Sequence, residues 1–496
     1  MGDALRIPEI ALIIGDHLPR KSLLTAVCVC RAWYHSFQPL LWARIVIRAD
    51  DGNLVQIRQA FERNGPLIRE LVLDDIHPST RDLTQHCTQL STLRLQFSYS
   101  KTPKDTVVAT ILDLVQQNHS TLRTFDTKYT FGLSQAPYQA ILQCPQLDAL
   151  GIFGMDFTEE TYAVFWRALP QLRRLSLVKG EFELSIQEET RFPKLTHLRV
   201  DSPFCWGPLA ATLASHCPNL RTLCLKAIHE QTLPSCPQLS TLVLDNDWMG
   251  MDDRVQLLDL SPPMRHVRLQ ERAIQCMDDT TKYFQHLQRH YQTLEMIDLR
   301  MCSWAKSEAI LKILCSCPQL QILKADKLYG VMLKHARPWV CSRLKEFRMA
   351  VVDGETDPSE NWSPREAIFK QLSRLTCLQV LDVYSLSIYE PHIKEECLSF
   401  QLEDKKLAKL ETLCELKCLK VGPYSMDLRT QDVEWMVQKW PSLEVIEGEL
   451  HSDATLRVEL VKILEQHGVR SKAIDSAWER LEQRVDSRLA GAFEVI

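Results

Sequence analysis

From about residue 66 onward, apolar positions recur in one short pattern: an apolar anchor, two polar residues, an apolar residue, a polar residue and a last apolar residue. The clearest copies are Leu172/Leu175/Leu177, Leu195/Leu198/Val200, Leu220/Leu223/Leu225 and Leu239/Leu242/Leu244, with anchors 23, 25 and 19 residues apart. Weaker copies stand at Leu90/Leu93/Leu95, Leu294/Ile297/Leu299, Leu344/Phe347/Met349 and Leu378/Leu381/Val383, and the series ends near Leu443/Ile446. The last three positions of each copy alternate in, out, in, as a short half-buried strand requires.

The segments between these strands read as helices. Thr158 is placed to cap one that opens with Glu159 and Glu160 and turns Tyr162, Phe165, Trp166 and Leu169 inward. Ser307 is expected to do the same before Glu308 and the apolar face Ile310, Leu311 and Leu314. Proline follows at the helix ends, in Cys144-Pro145, Leu169-Pro170, Phe192-Pro193, Cys217-Pro218, Cys236-Pro237, Cys317-Pro318 and Trp440-Pro441. It cannot continue the helical ladder and holds its predecessor out of helical geometry, so it turns the chain toward the next strand. The preceding cysteines read as small buried apolar side chains. A zinc site is not indicated, because Cys28/Cys30 and Cys315/Cys317 lack the usual spacing and no histidine pair completes either.

One strand and one helix per unit at this spacing is the leucine-rich-repeat period. The expected fold class is α/β: a leucine-rich-repeat solenoid over 66–450, with parallel strands on a concave face and helices on a convex one. No unit buries its own apolar face, so neighbours must stack; roughly 14 or 15 units at 4.8 Å per strand make a sheet about 70 Å long. Irregular stretches near 353–364 and 390–409 are expected to project as loops or extra helices. Residues 451–496 read as a helical cap or tail: a helix from about Asp453 to His467 stopped by Gly468, then a second carrying Trp478 and Leu481.

Residues 1–47 follow another rhythm. Pro8 fits a first helical position, Ile10, Ile13, Ile14 and Leu18 follow at helical spacing, and Leu23, Leu24 and Val27 form a second apolar run after Pro19. A third helix carries Trp33 and Phe37, with Leu40, Leu41 and Trp42 closing a unit joined to the repeats by a linker or cap at 48–65. So small a module has little core of its own and is expected to keep an exposed apolar face.

Ile7-Pro8-Glu9-Ile10, Val29-Cys30-Arg31-Ala32-Trp33 and Leu41-Trp42 resemble the F-box signature, Leu-Pro-x-Glu-Ile, Val-Cys-Arg-x-Trp and a closing Leu-Trp, in order and spacing. Ile7 replaces the usual leucine, Glu9 directly follows the proline, and Ser22 stands where an aspartate is common. With the repeats behind it, the chain resembles the F-box/leucine-rich-repeat proteins, fungal ones in particular. The resemblance implies that the F-box docks on the Skp adaptor of an SCF cullin-RING ubiquitin ligase, with Pro8, Ile10, Leu24, Val29, Cys30 and Trp33 as the adaptor contacts. It also implies that the repeats hold the protein to be ubiquitinated.

Strand alternation selects candidate contacts for that partner protein. If Leu175 and Leu177 point inward, Arg174 and Ser176 face the open side; the same rule exposes His197, Arg199, Lys226, His266, Arg268, Arg300, Arg348 and Tyr384. Both signs of charge occur there, as Asp201, Asp298, Glu346 and Asp382 share the rows, which suits a protein surface better than an anionic polymer.

Composition narrows the classes further. With 496 residues, 45% hydrophobic and 24% charged, the chain is expected to fold nearly throughout, and its length requires several domains or a repeat array. A net charge of -5 with dispersed basic residues argues against nucleic acid. Asp3 and Glu9 and the lack of a long apolar run argue against a secretory signal or membrane span, placing the protein in the cytoplasm or nucleus, with its seventeen cysteines reduced. The sequons at Asn118 and Asn361 are then accidental. No protease, phosphate-loop, dinucleotide or serine-elbow motif is present, so a non-catalytic receptor without metal or cofactor is expected. The alternatives are a repeat scaffold unconnected to ubiquitin, and a chain that carries ubiquitin on a cysteine, which no flanking pattern singles out.

Overall fold

The computed structural model describes residues 7–48, 54–74, 76, 79–96, 104–128, 135–156, 158–181, 190–201, 213–225, 236–245, 258–259, 261–270, 280–300, 302, 305–352, 362–383, 398, 400–402, 407–421 and 426–472. The chain divides into two compact units, Met1–Leu220 and Arg221–Ile496.

The first unit opens with three helices, α1 (Pro8–Asp16), α2 (Arg20–Ala26) and α3 (Arg31–Ala43). Pro8 stands at the start of α1, where its missing N–H costs nothing. Ala11, Leu23, Ala26 and Phe37 form the module's small core, with Leu18, Val27, Trp33, Leu40 and Leu41 packed around it. Gly15 makes the crossing of α1 and α3 possible, since a Cβ there would lie 2.4 Å from Leu40 and 2.8 Å from Phe37. Leu40, Leu41 and Trp42 lie inside α3 itself, and α3 runs without an intervening residue into strand β1 (Arg44–Arg48).

Strand β1 pairs in parallel with β2 (Glu70–Asp74), and the ladder continues through β3 (Thr92–Gln96), β4 (Thr124–Lys128), β5 (Ala149–Asp156), β6 (Arg174–Glu181) and β7 (His197–Asp201). In the second unit the same parallel pairing links β8 (Thr222–Leu225), β9 (Thr241–Asp245), β10 (His266–Gln270), β11 (Met296–Asp298), β12 (Ile322–Tyr329), β13 (Glu346–Val352), β14 (Val380–Asp382), β15 (Cys418–Lys420), β16 (Val445–Glu447) and β17 (Arg470–Lys472). Helices or single 3-10 turns fill most connections. This is leucine-rich-repeat architecture with parallel strands.

Equivalent positions stack across the ladders. Leu71, Leu93, Phe125, Leu150, Leu175 and Leu198 lie abreast and fully buried, as do the anchors Ile68, Leu90, Leu122, Leu147, Leu172 and Leu195. Each such side chain contributes about 2 kcal/mol of burial, and a one-residue slip would turn the strand row outward, which fixes the register. Backbone bonds such as Arg123 N to Ser91 O (2.8 Å) and Arg173 N to Asp148 O (2.8 Å) lock each repeat to its predecessor.

Several expectations change. The described residues contain seventeen strands rather than 14 or 15. Strand β1 precedes the helix Leu54–Asn64, which fills most of the stretch expected to be a linker or cap, and β17 lies past residue 450. Those outlying strands, Arg-Ile-Val-Ile-Arg and Arg-Ser-Lys, lack the leucine pattern and are recruited by pairing with a neighbour. Thr158 occupies the cap position without making the cap bond; its hydroxyl donates instead to Gln135. Ser307 is the first helical residue after Lys306, and its Oγ accepts from Tyr329 N at 3.0 Å.

The described part of 390–409 does not project. Leu398, Phe400 and Leu407 are buried, and Phe400 packs edge-on against Phe369 at 5.8 Å, because three apolar side chains outweigh the charges around them. Residues 353–361 lie outside the described residues; Ser363, near the end of that stretch, caps the helix Pro364–Leu372. The helix Ala454–Gln466 stands between its cap Asp453 and Gly468, whose φ of 76° suits glycine, whereas Trp478 and Leu481 fall outside the described residues.

Buried polar side chains tie the helix ends to the preceding repeat. Asn118 accepts from Leu90 N (2.7 Å) and donates to Cys87 O (2.7 Å), so the first sequon is sealed in the core. His290 makes the equivalent pair of bonds, with Met264 N (3.1 Å) and Leu258 O (3.2 Å). The cysteines at the helix ends behave as small apolar residues: Cys87, Cys144, Cys217, Cys236, Cys317 and Cys341 are all buried.

Candidate docking surfaces

The first surface is the helical module. With a core of only four buried side chains, α1, α2 and the turn after α2 leave apolar groups in solvent: Ile13 is 62% exposed, Val29 60% and Leu24 54%, with Ile7 and Ile14 beside them in sequence. Of the expected adaptor contacts, Leu24, Val29 and Cys30 are exposed, while Ile10 and Trp33 are half-buried. Trp33 leans edge-on against Phe37 at 5.4 Å, so one face of its indole supports the core. Pro8 starts α1, and its side chain lies outside the described residues. Ile13 was not among the expected contacts. Its place on the same helix, three residues after Ile10, is the signal that marks it.

The second surface is the side of the strand ladders away from the leucines. In the first unit Arg174 and His197 are half-buried neighbours in register, and Arg199 is paired with Asp201 at 3.2 Å. Glu70 sits between Arg44 and Arg94, at 3.5 Å from each. Asp126 fills the space that the missing side chain of Gly151 leaves open: a Cβ there would lie 2.2 Å from its carboxylate.

In the second unit the third positions of β10 to β17 form a charged row. Arg268 lies opposite Asp298, Asp298 opposite Lys324, Lys324 opposite Arg348 and Arg348 opposite Asp382. Asp382 then lies opposite Lys420, Lys420 opposite Glu447 and Glu447 opposite Lys472. Asp298 is buried, yet it meets Arg268 at 3.6 Å and accepts from Arg300 at 3.0 and 2.9 Å. Burial pushes its carboxyl up, but the Arg300 and Arg268 guanidiniums and Lys324 outweigh that and hold it below the usual carboxylate range. Lys324 and Arg348 both pair with Glu346, the former at 3.2 Å, and Glu447 stands 3.6 Å from both Lys420 and Lys472.

The expected contacts Arg268, Arg300 and Arg348 therefore share one row or its edge, each engaged with a carboxylate. His266 stands two residues before Arg268, 3.1 Å from the Thr241 hydroxyl; burial lowers its pKa, which Glu295 partly offsets and Arg265 reinforces. Lys226 and Tyr384 lie outside the described residues. Residues expected on the open face are not all exposed: Ser176, Asp201, Asp298 and Asp382 are buried, because side chains about 4.8 Å apart on adjacent strands cover one another.

Lys324, Lys420, Glu447 and Lys472 escape the sequence reading. Their strands carry Ala325, Val421, Gly448 or no leucine frame, although an offset of one from Leu323, Leu419 and Ile446 marks the first three.

Among the described residues no cluster of ligating side chains is arranged for a metal ion, and no helix is long and apolar enough to cross a membrane.

Residues 8–48 match the F-box-like family model. Among curated proteins none matches this chain. Among solved structures the chain is similar to an internalin from Listeria monocytogenes, at 13% identity and a TM-score of 0.31, over 87% of this chain and 96% of that one. At that score the likeness adds nothing to the architecture read from the strand registers.

Proposed function

We propose that this chain is the substrate-holding, non-catalytic subunit of an SCF-type cullin-RING ubiquitin ligase, working in the cytoplasm or nucleus. Its helical module docks on the Skp adaptor through α1, α2 and the turn before α3, and its repeats hold the protein to be ubiquitinated. The observation that carries this reading is the F-box-like match over 8–48 together with Ile13, Leu24 and Val29 standing in solvent on a module with almost no core. Exposed apolar side chains at this density favour a partner surface. The direct run of α3 into β1 supports the same reading, since an adaptor on the helices is then tied to the ladder without a flexible joint.

Co-purification with the Skp adaptor tests it. Leu24→Glu with Val29→Glu changes only exposed positions and is expected to cost about 30-fold or more in adaptor affinity while leaving thermal unfolding unchanged, as the loss of about 2 kcal/mol at an interface anchor requires. A truncation control must begin after α3, because removing residues 1–47 also removes most of β1. Undiminished adaptor capture by the double variant refutes the proposal. A repeat scaffold unconnected to ubiquitin is then the remaining reading.

A further inference from the structure

Beside the charged row of the second unit runs a second lane. The first position of each strand lies two residues before the charged one, on the same side of the ladder, and there Met296, Ile322, Val380, Cys418 and Val445 stand half-buried. Glu346 alone interrupts them, between Ile322 and Val380, and it is engaged by Lys324 and Arg348. The face therefore has an apolar lane from β11 to β16 and, parallel to it, a lane of mixed charge from β10 to β17. With Arg300, Asp326 and Glu346 counted beside it, that lane holds six bases against five acids.

We propose that this two-lane face binds an amphipathic α-helix of a partner protein, lying across the strands, with its apolar stripe on the Met296–Val445 lane and an acidic flank toward the bases. The inference rests on the reading that the repeats hold a partner protein and names the chemistry of the segment held. Three observations carry it. The lanes are adjacent and straight in register, as an amphipathic ligand requires and a uniformly charged one does not. Strand spacing is about 4.8 Å, which lies between the rise of three helical residues, about 4.5 Å, and of four, about 6 Å; an extended chain repeats a face every 6.6 Å or so and falls out of step. The bases, spread along the row rather than gathered at one point, complement several carboxylates along a helix flank better than one phosphate.

Six strands correspond to about 24 Å, or about 16 residues of helix.

The test is selection of a displayed library of 20-residue helix-forming peptides, randomised on all faces, against the full-length chain, followed by affinity measurement on the selected peptides. The expected consensus has apolar residues at i, i+3 or i+4 and i+7, flanked on one side by Asp or Glu. Its affinity should fall about tenfold with Lys420→Glu. It should fall severalfold with Val380→Thr plus Val445→Thr, a near-isosteric pair that keeps the proposal testable if the charge reversal unfolds the protein. Recovery of basic, phosphomimetic-only or non-periodic peptides, failure to select any binder, or binding indifferent to both variants overturns the proposal. The same measurement with Leu24→Glu and Val29→Glu in place separates the two readings. Peptide binding that survives loss of adaptor capture leaves this inference standing, and adaptor capture without peptide binding sinks this inference alone.

Discussion

His290 makes the stability of the second unit depend on pH in a way the fold lets one work out. Its ring is fully buried, Nδ1 accepts from Met264 N at 3.1 Å, and Nε2 therefore carries the proton and donates to Leu258 O at 3.2 Å. A second proton on Nδ1 would face the Met264 N–H, so the cation loses a bond as well as its hydration. Burial is the largest cause lowering its pKa and Arg289 adds to it; the Leu258 carbonyl and Asp259 oppose, and the value falls from 6.5 to about 4. The unfolded chain thus takes up the proton first as pH falls. The contribution is fully present above the unfolded value, is lost progressively below it, and levels off only under the folded value. Linkage over that window gives a loss of about 2 kcal/mol between roughly pH 7 and roughly pH 5, and about 3 kcal/mol in full.

The assay is urea unfolding of the native chain and of His290→Asn at several pH values across that window. Asparagine is the natural replacement, since Asn118 already spans the same kind of junction with the same two bonds. Subtracting the two curves removes every other titrating group. The wild type is expected to start more stable near neutrality and to lose about 2 kcal/mol relative to the variant by about pH 5. Parallel pH dependences for the two proteins would refute the reasoning, because a buried histidine that titrates alike in both states contributes nothing to linkage.

Gly151→Ala is expected to destabilise the first unit by about 1–3 kcal/mol, since the new Cβ overlaps the Asp126 carboxylate, and Asp126→Ala in the same chain should restore most of the loss; thermal unfolding of the single and double variants checks it. Asp298→Ala leaves the Arg268 and Arg300 guanidiniums without their buried partner and should cost about 3–5 kcal/mol in urea unfolding. Thiol alkylation near neutral pH should modify Cys28, Cys30 and Cys414 in the native protein, while Cys144 and Cys236, buried and pushed up to about 11, and Cys87 and Cys341, pushed up to about 12, react only in denaturant; mass mapping after brief labelling decides it.

The repeat spacing and strand alternation were legible in the chain because each strand carries its own signal: two apolar residues flank one polar position, and stacking needs the same arrangement from every unit. The three-helix module was legible through the placement of Pro8, Cys30 and Trp33. Lateral neighbours were not. Whether Asp298 meets Arg268, or Glu346 meets Lys324, depends on residues 30 and 22 positions apart arriving on adjacent strands, which only the ladder register decides.

The strands that break the pattern show the same division. Arg44–Arg48 and Arg470–Lys472 have no leucine frame and become strands because a neighbouring edge offers its hydrogen bonds. Phe400 is drawn inward from a charged segment by Phe369. Local sequence set the period and which side of each strand is dry, since those depend on chain geometry and hydrophobicity residue by residue. Tertiary stacking decided which charges neutralise one another and that an apolar lane runs beside them, because both are properties of a surface assembled from many separate segments.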